Sequence, residues 1–389
     1  METTMNTRLL GGLSAGTFLK RYWQKRPCLV RQAMPGFEDP FTMDELAGLA
    51  LEPDVASRLV MEKGGKTPWQ LSHGPFSAAT LKKLPRSHWT LLVQGVDQHV
   101  PAGAAILDQF DFVPNWRVDD LMVSFAPPQG TVGAHVDSYD VFLIQGQGRR
   151  RWQIAETFDP KLVPGLDLKI LAKFKPEKEW VLEPGDMLYL PPGVAHYGVA
   201  LEDCLTYSVG FRAPKLADLI GGAVNLPDDA VLRLAGEALY GDPDLKATVH
   251  PGELDGEAIK RVRGIVMRAL LDDEGLARWL GGQVTKPGTR ASAPAARRAP
   301  SEADVRARMA GAGYERRAGS HFAYARPKAK GDLFLFIDGE EWRLAPEIAE
   351  LGVLIGDTRF VKGKALAKLA KRVGAVELIR ELVARGLLA

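Results

Sequence analysis

Hydrophobic positions in the first hundred residues recur mainly at helical spacing. Ser14 stands as an N-cap before Phe18, Leu19, Tyr22 and Trp23. Thr42, with Glu45 three residues later, forms a capping-box pattern before Leu46, Leu49 and Leu51. From about Trp89 the period shortens to two. The runs LLVQGV, DLMVSF, DVFLIQG, RRRWQI, DMLYLPP and LTYSVGF are short and β-rich, broken by turns such as Pro127-Pro128 and Glu183-Pro184-Gly185-Asp186. Many short strands separated by Gly/Pro turns predict a sandwich or barrel.

After Arg212 the helical period returns over 213–285, most clearly in VLRLAGEALY and AIKRVRGIVMRALL. Residues 286–300, rich in Ala, Pro, Gly and Arg, read as a linker. Ser301 with Asp304 restarts a helix, and FLFIDGEEWRL reads as a hairpin turning at Asp338-Gly339. ALAKLAKRVGAVELIRELVARGLL then closes the chain as one helix. Helix, strands and helix over 301–389 fit a small winged-helix-like module. The chain shows no internal repeat.

Composition narrows the class. With 389 residues, 46% hydrophobic, 25% charged and 8% aromatic, the chain is an ordinary globular protein of two or three domains. A disordered, collagen-like or disulfide-scaffold protein is excluded. No apolar run reaches the roughly 18–20 residues that cross a bilayer. The opening residues lack both a sustained apolar core and a small-residue cleavage site, so the expected location is the cytoplasm. Cys28 and Cys204 are too few for a disulfide framework or a cysteine zinc site. The net charge of +2 hides an asymmetry: residues 286–389 hold 20 Lys+Arg against 12 Asp+Glu, so the rest of the chain is acidic. A basic terminal module is either a solvated surface or one that meets an anionic partner such as ribosomal RNA.

Candidate chemistry centres on two of the seven histidines. His135 lies two residues before Asp137 in TVGAHVDSYD, and on a strand such positions share a face. His196, in LPPGVAHYGV, follows the next Pro/Gly turn and strand. Two imidazoles and a carboxylate form the facial triad of non-haem iron(II) oxygenases, which leaves sites open for a chelating co-substrate and oxygen. The alternative is a hydrogen-bonded His–Asp pair in the core. A 2-oxo acid bound there needs a fixed cation for its far carboxylate. In Gly148-Arg149-Arg150-Arg151-Trp152, alternation turns Arg150 inward with Trp152 and its two arginine neighbours outward; the alternative is three surface arginines. Along Asp119-Asp120-Leu121-Met122-Val123-Ser124-Phe125 the polar face carries Asp120, Met122 and Ser124. Ser124 and Ser208 are candidates for the co-substrate pocket. Asp120 suits a cationic substrate side chain, with Tyr139 as a wall; otherwise Asp120 is a solvated strand-end acid.

At these residues the chain resembles the Jumonji-C (JmjC) oxygenases of the cupin superfamily. Within them it is most similar to the bacterial ribosomal oxygenases that hydroxylate an arginine of large-subunit ribosomal protein L-sixteen. The likeness is carried by WQKRP, SHGPF, DDLMVSF, HVDSYDVFLIQGQGRRRW, EPGDMLYLPPG with Ala195-His196 beyond it, and YSVGFRAP, over roughly residues 20–215.

The resemblance implies an α+β chain built on a double-stranded β-helix. Its catalytic domain would span 1–212, with N-terminal helices and a barrel from about 89. A helical dimerisation segment (213–285), the linker (286–300) and a winged-helix domain (301–389) would follow. It implies Fe(II) held by His135, Asp137 and His196, with 2-oxoglutarate held by Arg150 and oxygen as second co-substrate. The substrate pocket carries over onto Asp120, Met122 and Tyr139. The expected reaction hydroxylates the β-carbon of an arginine in L-sixteen, by a homodimer with no membrane attachment. The alternatives are a histidyl hydroxylase of the same family, a non-redox metal cupin, and a ribosome- or nucleic-acid-binding module.

Overall fold

The computed structural model describes residues 9–63, 68–211, 259–260, 263–264, 273–287, 298–327 and 331–389. The chain divides into two compact units, one formed mainly by residues 1–213 and the other mainly by residues from 214 onward.

Both capping signals near the start are realised. Ser14 Oγ accepts from the Thr17 amide above α1 (Ala15–Arg21), and Thr42 and Glu45 cap α2 (Met43–Leu49) reciprocally. The first hundred residues nevertheless hold more strand than their helical spacing predicts, in β1 (Cys28–Val30), β2 (Ser57–Glu62) and β3 (Trp69–His73), while β4 (Trp89–Val93) begins where the period was expected to shorten. Only short helices lie among and after them: α3 (Ala78–Leu81), α4 (Val96–His99) and α5 (Pro101–Leu107). Strands this short give little period-two signal and are held by pairing to distant segments.

Those segments are β5 (Val118–Ala126), β6 (His135–Val136), β7 (Asp140–Gln145), β8 (Arg150–Ala155), β9 (Lys178–Leu182), β10 (Met187–Leu190), β11 (Ala195–Ala200) and β12 (Cys204–Phe211). Along the chain they wind between two antiparallel sheets. The larger has the order β1-β10-β7-β12-β5-β4-β2-β3, and the smaller β6-β11-β8-β9. This winding is a double-stranded β-helix, the form of barrel that the family resemblance implies. The early strands extend its larger sheet on both sides.

Alternation assigns each strand residue a side. On β7, Val141 and Leu143 face the smaller sheet and pack with Trp152, Ile154, Leu182, Leu188 and Leu190. Phe142 and Ile144 face the opposite way, where helices cover the larger sheet. There Phe18 of α1 meets Tyr189 with ring centroids 5.1 Å apart, and Phe110 meets Phe142 at 4.9 Å. Both faces of β7, β10 and β12 are therefore buried, which is why β7 and β10 read as nearly unbroken apolar runs, while β12 carries Thr206 and Ser208 on its inner face. The sheet is thus anchored by its outer face, leaving the inner face free to carry polar groups.

In the second unit, α6 (Asp273–Val284) and α7 (Glu302–Ala310) precede two small sheets. One pairs β13 (Tyr314–Glu315) with β17 (Phe360–Val361); the other is the meander β14 (Phe322–Ala325), β15 (Leu333–Ile337), β16 (Glu340–Leu344). The β15–β16 turn falls at Asp338-Gly339, as the sequence predicts. Three helices complete the unit: α8 (Ala349–Asp357), α9 (Lys364–Leu369) and α10 (Ala375–Ala384). The predicted single closing helix is therefore two. Gly374, at φ +85°, takes a left-handed conformation between them, a turn glycine enters at little cost. VLRLAGEALY and most of AIKRVRGIVMRALL lie outside the described residues, as do 288–297 of the expected linker. No helix among the described residues is long and apolar enough to cross a membrane.

Candidate metal centre and co-substrate cavity

Antiparallel pairing of β6 with β11 places His135 directly opposite His196, with ring centroids 4.2 Å apart. Asp137 follows β6 and brings Oδ2 to 3.6 Å from His196 Nε2 and 4.0 Å from His135 Nε2. One potential ligand atom from each residue lies within 4.8 Å of the others. Each imidazole is oriented from behind. His135 Nδ1 stands 2.9 Å from the Gly133 carbonyl and His196 Nδ1 3.1 Å from the Val194 carbonyl. A carbonyl only accepts, so both Nδ1 atoms carry the proton and both Nε2 lone pairs point to the shared space. Burial, then the adjacent His135 ring, lowers the His196 pKa, so the ring is neutral and able to ligate at physiological pH.

These groups open on a cavity of about 570 Å³ between the two sheets. Arg150, Ser124, Ser208, Asp120, Met122 and Tyr139, all picked out from the sequence, line it too. Arg150 is 4% exposed. Its Nη1 donates to Ser124 Oγ at 3.2 Å and Thr206 Oγ1 at 3.1 Å, and its guanidinium lies 5.4 Å from the Trp152 ring centroid. It forms no ion pair among the described residues, and its buried Nε has no hydrogen-bond partner there. Burial lowers its pKa, yet a guanidinium remains a cation. Arg149, by contrast, points outward and pairs with Glu202 at 3.0 Å, as alternation predicts. A buried cation left without a counter-charge is costly, and the cavity beside it is where a carboxylate would supply one.

Trp152 reaches its place because residue 198 is glycine. A Cβ at 198 would stand 2.7 Å from the indole ring carbons. The packed indole is 6.0 Å from the His196 ring, so one side chain braces both the metal side and the arginine side of the cavity.

On the substrate side, Asp120 Oδ2 accepts from the Gly95 amide at 2.9 Å, which orients the carboxylate. Tyr139 is 39% exposed. Desolvation, followed by the charges of Asp137 and Asp120, raises the pKa of its hydroxyl, which stays protonated and able to donate.

Of the lining residues that the sequence reading did not single out, two bear directly on the charges of the cavity. Thr206 is the cross-strand partner of Ser124 and joins it on Arg150; its alternation with Ser208 was the available signal. Arg58, on β2, brings a second guanidinium to the cavity, and its buried Nε has no partner among the described residues. Nothing in the helical spacing of the early residues marks it.

The comparisons agree with this geometry. A JmjC domain model matches residues 105–219, and a ROXA-like winged-helix model matches residues 267–389. The chain is 43% identical over 265 residues to the ribosomal protein uL16 3-hydroxylase of Escherichia coli (strain K12), covering 68% of this chain and 69% of that one. It belongs to the JmjC ribosomal-oxygenase family. The solved structure of E. coli YcfD matches with a TM-score of 0.84 at 34% identity, covering 97% of this chain and 98% of that one. A second YcfD structure, a ribosomal oxygenase in complex with cobalt and 2-oxoglutarate, matches with a TM-score of 0.79 at 33% identity over the same shares. The ribosomal-oxygenase architecture accordingly comprises a JmjC cupin barrel and a C-terminal winged helix.

Proposed function

We propose that this ribosomal oxygenase is an Fe(II)- and 2-oxoglutarate-dependent hydroxylase that acts on the β-carbon of an arginine in ribosomal protein uL16. The observation that carries the reading is Arg150: a buried guanidinium with no counter-charge among the described residues, facing the same cavity as an oriented His–Asp–His set. The donor chemistry suits iron(II), with two neutral imidazole nitrogens and one carboxylate oxygen on one side of a space otherwise left open.

His135, Asp137 and His196 would hold the metal, and Arg150 the far carboxylate of 2-oxoglutarate. Bound iron supplies the oxidative chemistry, in which O2 and 2-oxoglutarate yield succinate, carbon dioxide and one oxygen atom inserted into a C–H bond. The chain's own part is positioning. Ser124 and Thr206 fix the guanidinium, Ser208 lines the same pocket, and Trp152 fills the space behind it and keeps water away. Asp120 receives the substrate guanidinium by a charge-assisted hydrogen bond, with Met122 and Tyr139 flanking its apolar stem. Holding the β-carbon in reach is the catalytic contribution of that wall. An acidic wall favours arginine over a neutral histidine as the target.

The domain reading belongs to the same proposal: a catalytic domain over 1–212, a dimerisation segment over 213–285, a linker, and the winged helix from 301. Light scattering of the full chain would measure twice the monomer mass if the segment works as proposed.

The deciding experiment is mass spectrometry of a uL16 fragment incubated with enzyme, Fe(II), 2-oxoglutarate and O2. One added oxygen on a single arginine is expected, and Arg150→Ala should abolish it, the lost clamp raising the 2-oxoglutarate requirement by roughly 100-fold or more. Turnover of 2-oxoglutarate without modification of the fragment would leave an oxygenase with a different substrate. No turnover in iron-loaded protein would favour a non-redox cupin or a binding module.

A further inference from the structure

The second unit carries an acid-free basic stretch with no role in the cavity. From Thr358 to Val376 there is no Asp or Glu, while Arg359, Lys362, Lys364, Lys368, Lys371 and Arg372 all occur. Lys364, Lys368 and Lys371 follow helical spacing along α9 and its C-terminal turn, and all three are exposed, as are Lys362 and Arg372. The opposite side of α9 is the apolar one: Leu366 is fully buried and Leu369 is 5% exposed. None of these four lysines, nor Arg372, forms an ion pair among the described residues.

Elsewhere in the same unit, several arginines at or near the surface are matched. Arg343 pairs with Asp332, Arg278 with Glu341, and Arg385 with both Glu340 and Glu381. An ordinary solvated surface mixes its signs in that way. Within the 358–376 stretch Arg359 alone is matched among the described residues, by Glu315 at 2.6 Å. Beside it stands an aromatic ring in water: Phe360 is 46% exposed, with the Arg359 guanidinium 5.0 Å and the Lys362 ammonium 5.4 Å from its centroid.

We infer that this face is an RNA-binding surface, with the lysines of α9 and its turn on successive phosphates and Phe360 as a stacking platform for an unpaired base. The inference rests on the proposed ribosomal substrate for its choice of polyanion, since a protein that acts on ribosomal components meets RNA. Unpaired cations along one face match a repeating phosphate backbone, and a cation-flanked exposed ring is the feature that base stacking uses. A bilayer fits less well. Membrane-surface helices turn an apolar face outward, and the leucines of α9 are buried in their own core.

The test is fluorescence anisotropy of the full-length protein with a labelled RNA hairpin bearing an unpaired loop, titrated at increasing KCl. With five phosphate contacts, log affinity should fall against log salt with a slope between about −3.5 and −4.5. The charge-reversed triple variant K364E/K368E/K371E should bind at least about tenfold more weakly, with the slope reduced by about 2 to 3. F360A should weaken binding to the looped hairpin but not to a blunt duplex. Lys→Gln changes at the same three positions, which leave the buried leucines untouched, should give a smaller loss in the same direction.

Unchanged RNA affinity in the triple variant would overturn the proposal. So would equal or tighter binding to polyglutamate or to anionic phospholipid vesicles. Hydroxylation of an isolated uL16 fragment should be unaffected by the triple variant. If the wild-type chain binds RNA through these residues but leaves the fragment unmodified, the substrate reading fails and the RNA surface stands.

Discussion

Arg150 and Asp120 line one cavity with opposite charges and different company. Arg150 is held by two hydroxyls and forms no ion pair among the described residues, whereas Asp120 is oriented by a backbone amide. The proposed roles follow from that difference: one awaits an anion, the other a cation. Asp120→Asn keeps an acceptor for the Gly95 amide and removes the charge. It is expected to raise the KM for a uL16 fragment by roughly 10- to 100-fold, the range of a lost charged hydrogen bond, with the 2-oxoglutarate affinity unchanged. An unchanged peptide KM would remove Asp120 from the substrate wall. At this scale much of the candidate site was legible. His-x-Asp on a strand and a solitary inward arginine are patterns of spacing, and spacing is written along the chain. Thr206 and Arg58 are different. Thr206 gains its role because strand register sets it opposite Ser124, and Arg58 because a distant strand joins the sheet edge.

Individual elements contribute through what they permit their neighbours to do. On β11, glycine at 198 leaves room for the indole of its cross-strand partner Trp152. Gly198→Ala should push that ring against the arginine side of the cavity and weaken 2-oxoglutarate binding by roughly tenfold or more, read by quenching of tryptophan fluorescence. Wild-type affinity in that variant would show that the indole does not position Arg150. Helix α4 is tied to β5 by a buried carboxylate. Asp97, 6% exposed, accepts from the Leu121 amide at 2.9 Å. Burial raises its pKa to about 6, outweighing that hydrogen bond. The folded state therefore holds this proton more tightly than the unfolded chain, whose aspartates titrate near 3.9. Between about pH 4 and pH 6 this group makes stability fall as pH rises, and above pH 6 the full penalty is present. Asp97→Asn keeps an acceptor without the charge. Its denaturation midpoint should exceed that of the wild-type chain at pH 7, and the difference should shrink as pH falls towards 4. A pH-independent difference would contradict the assignment. The short strands β1 to β3 were not legible, because three to six residues give almost no periodicity without a sheet to join.

Across the whole molecule, metal binding and folding are expected to be separable. The barrel is held by apolar packing within and outside its larger sheet, and the second unit has its own core around Leu335, Leu351, Ile355 and Leu382. Removing the ion with a strong chelator should abolish turnover while leaving the far-ultraviolet circular dichroism intact. Tm should fall only by the linkage lost with the ligand; global unfolding on chelation would show that the metal is structural. The amino-acid order by itself determined the class of fold, the order of its parts, the His–Asp–His set and the inward arginine. Each is encoded by short-range periodicity, capping and turn residues, whose physics acts over a few positions. The tertiary structure alone decided that the early segment joins the barrel as strands, that Thr206 and Ser124 meet on Arg150, and that Gly198 makes room for Trp152. It also decided that the closing helix breaks at Gly374, leaving the lysines of α9 outward and its leucines inward. Those outcomes depend on strand register and on which face is buried, both set by contacts between residues far apart in the chain.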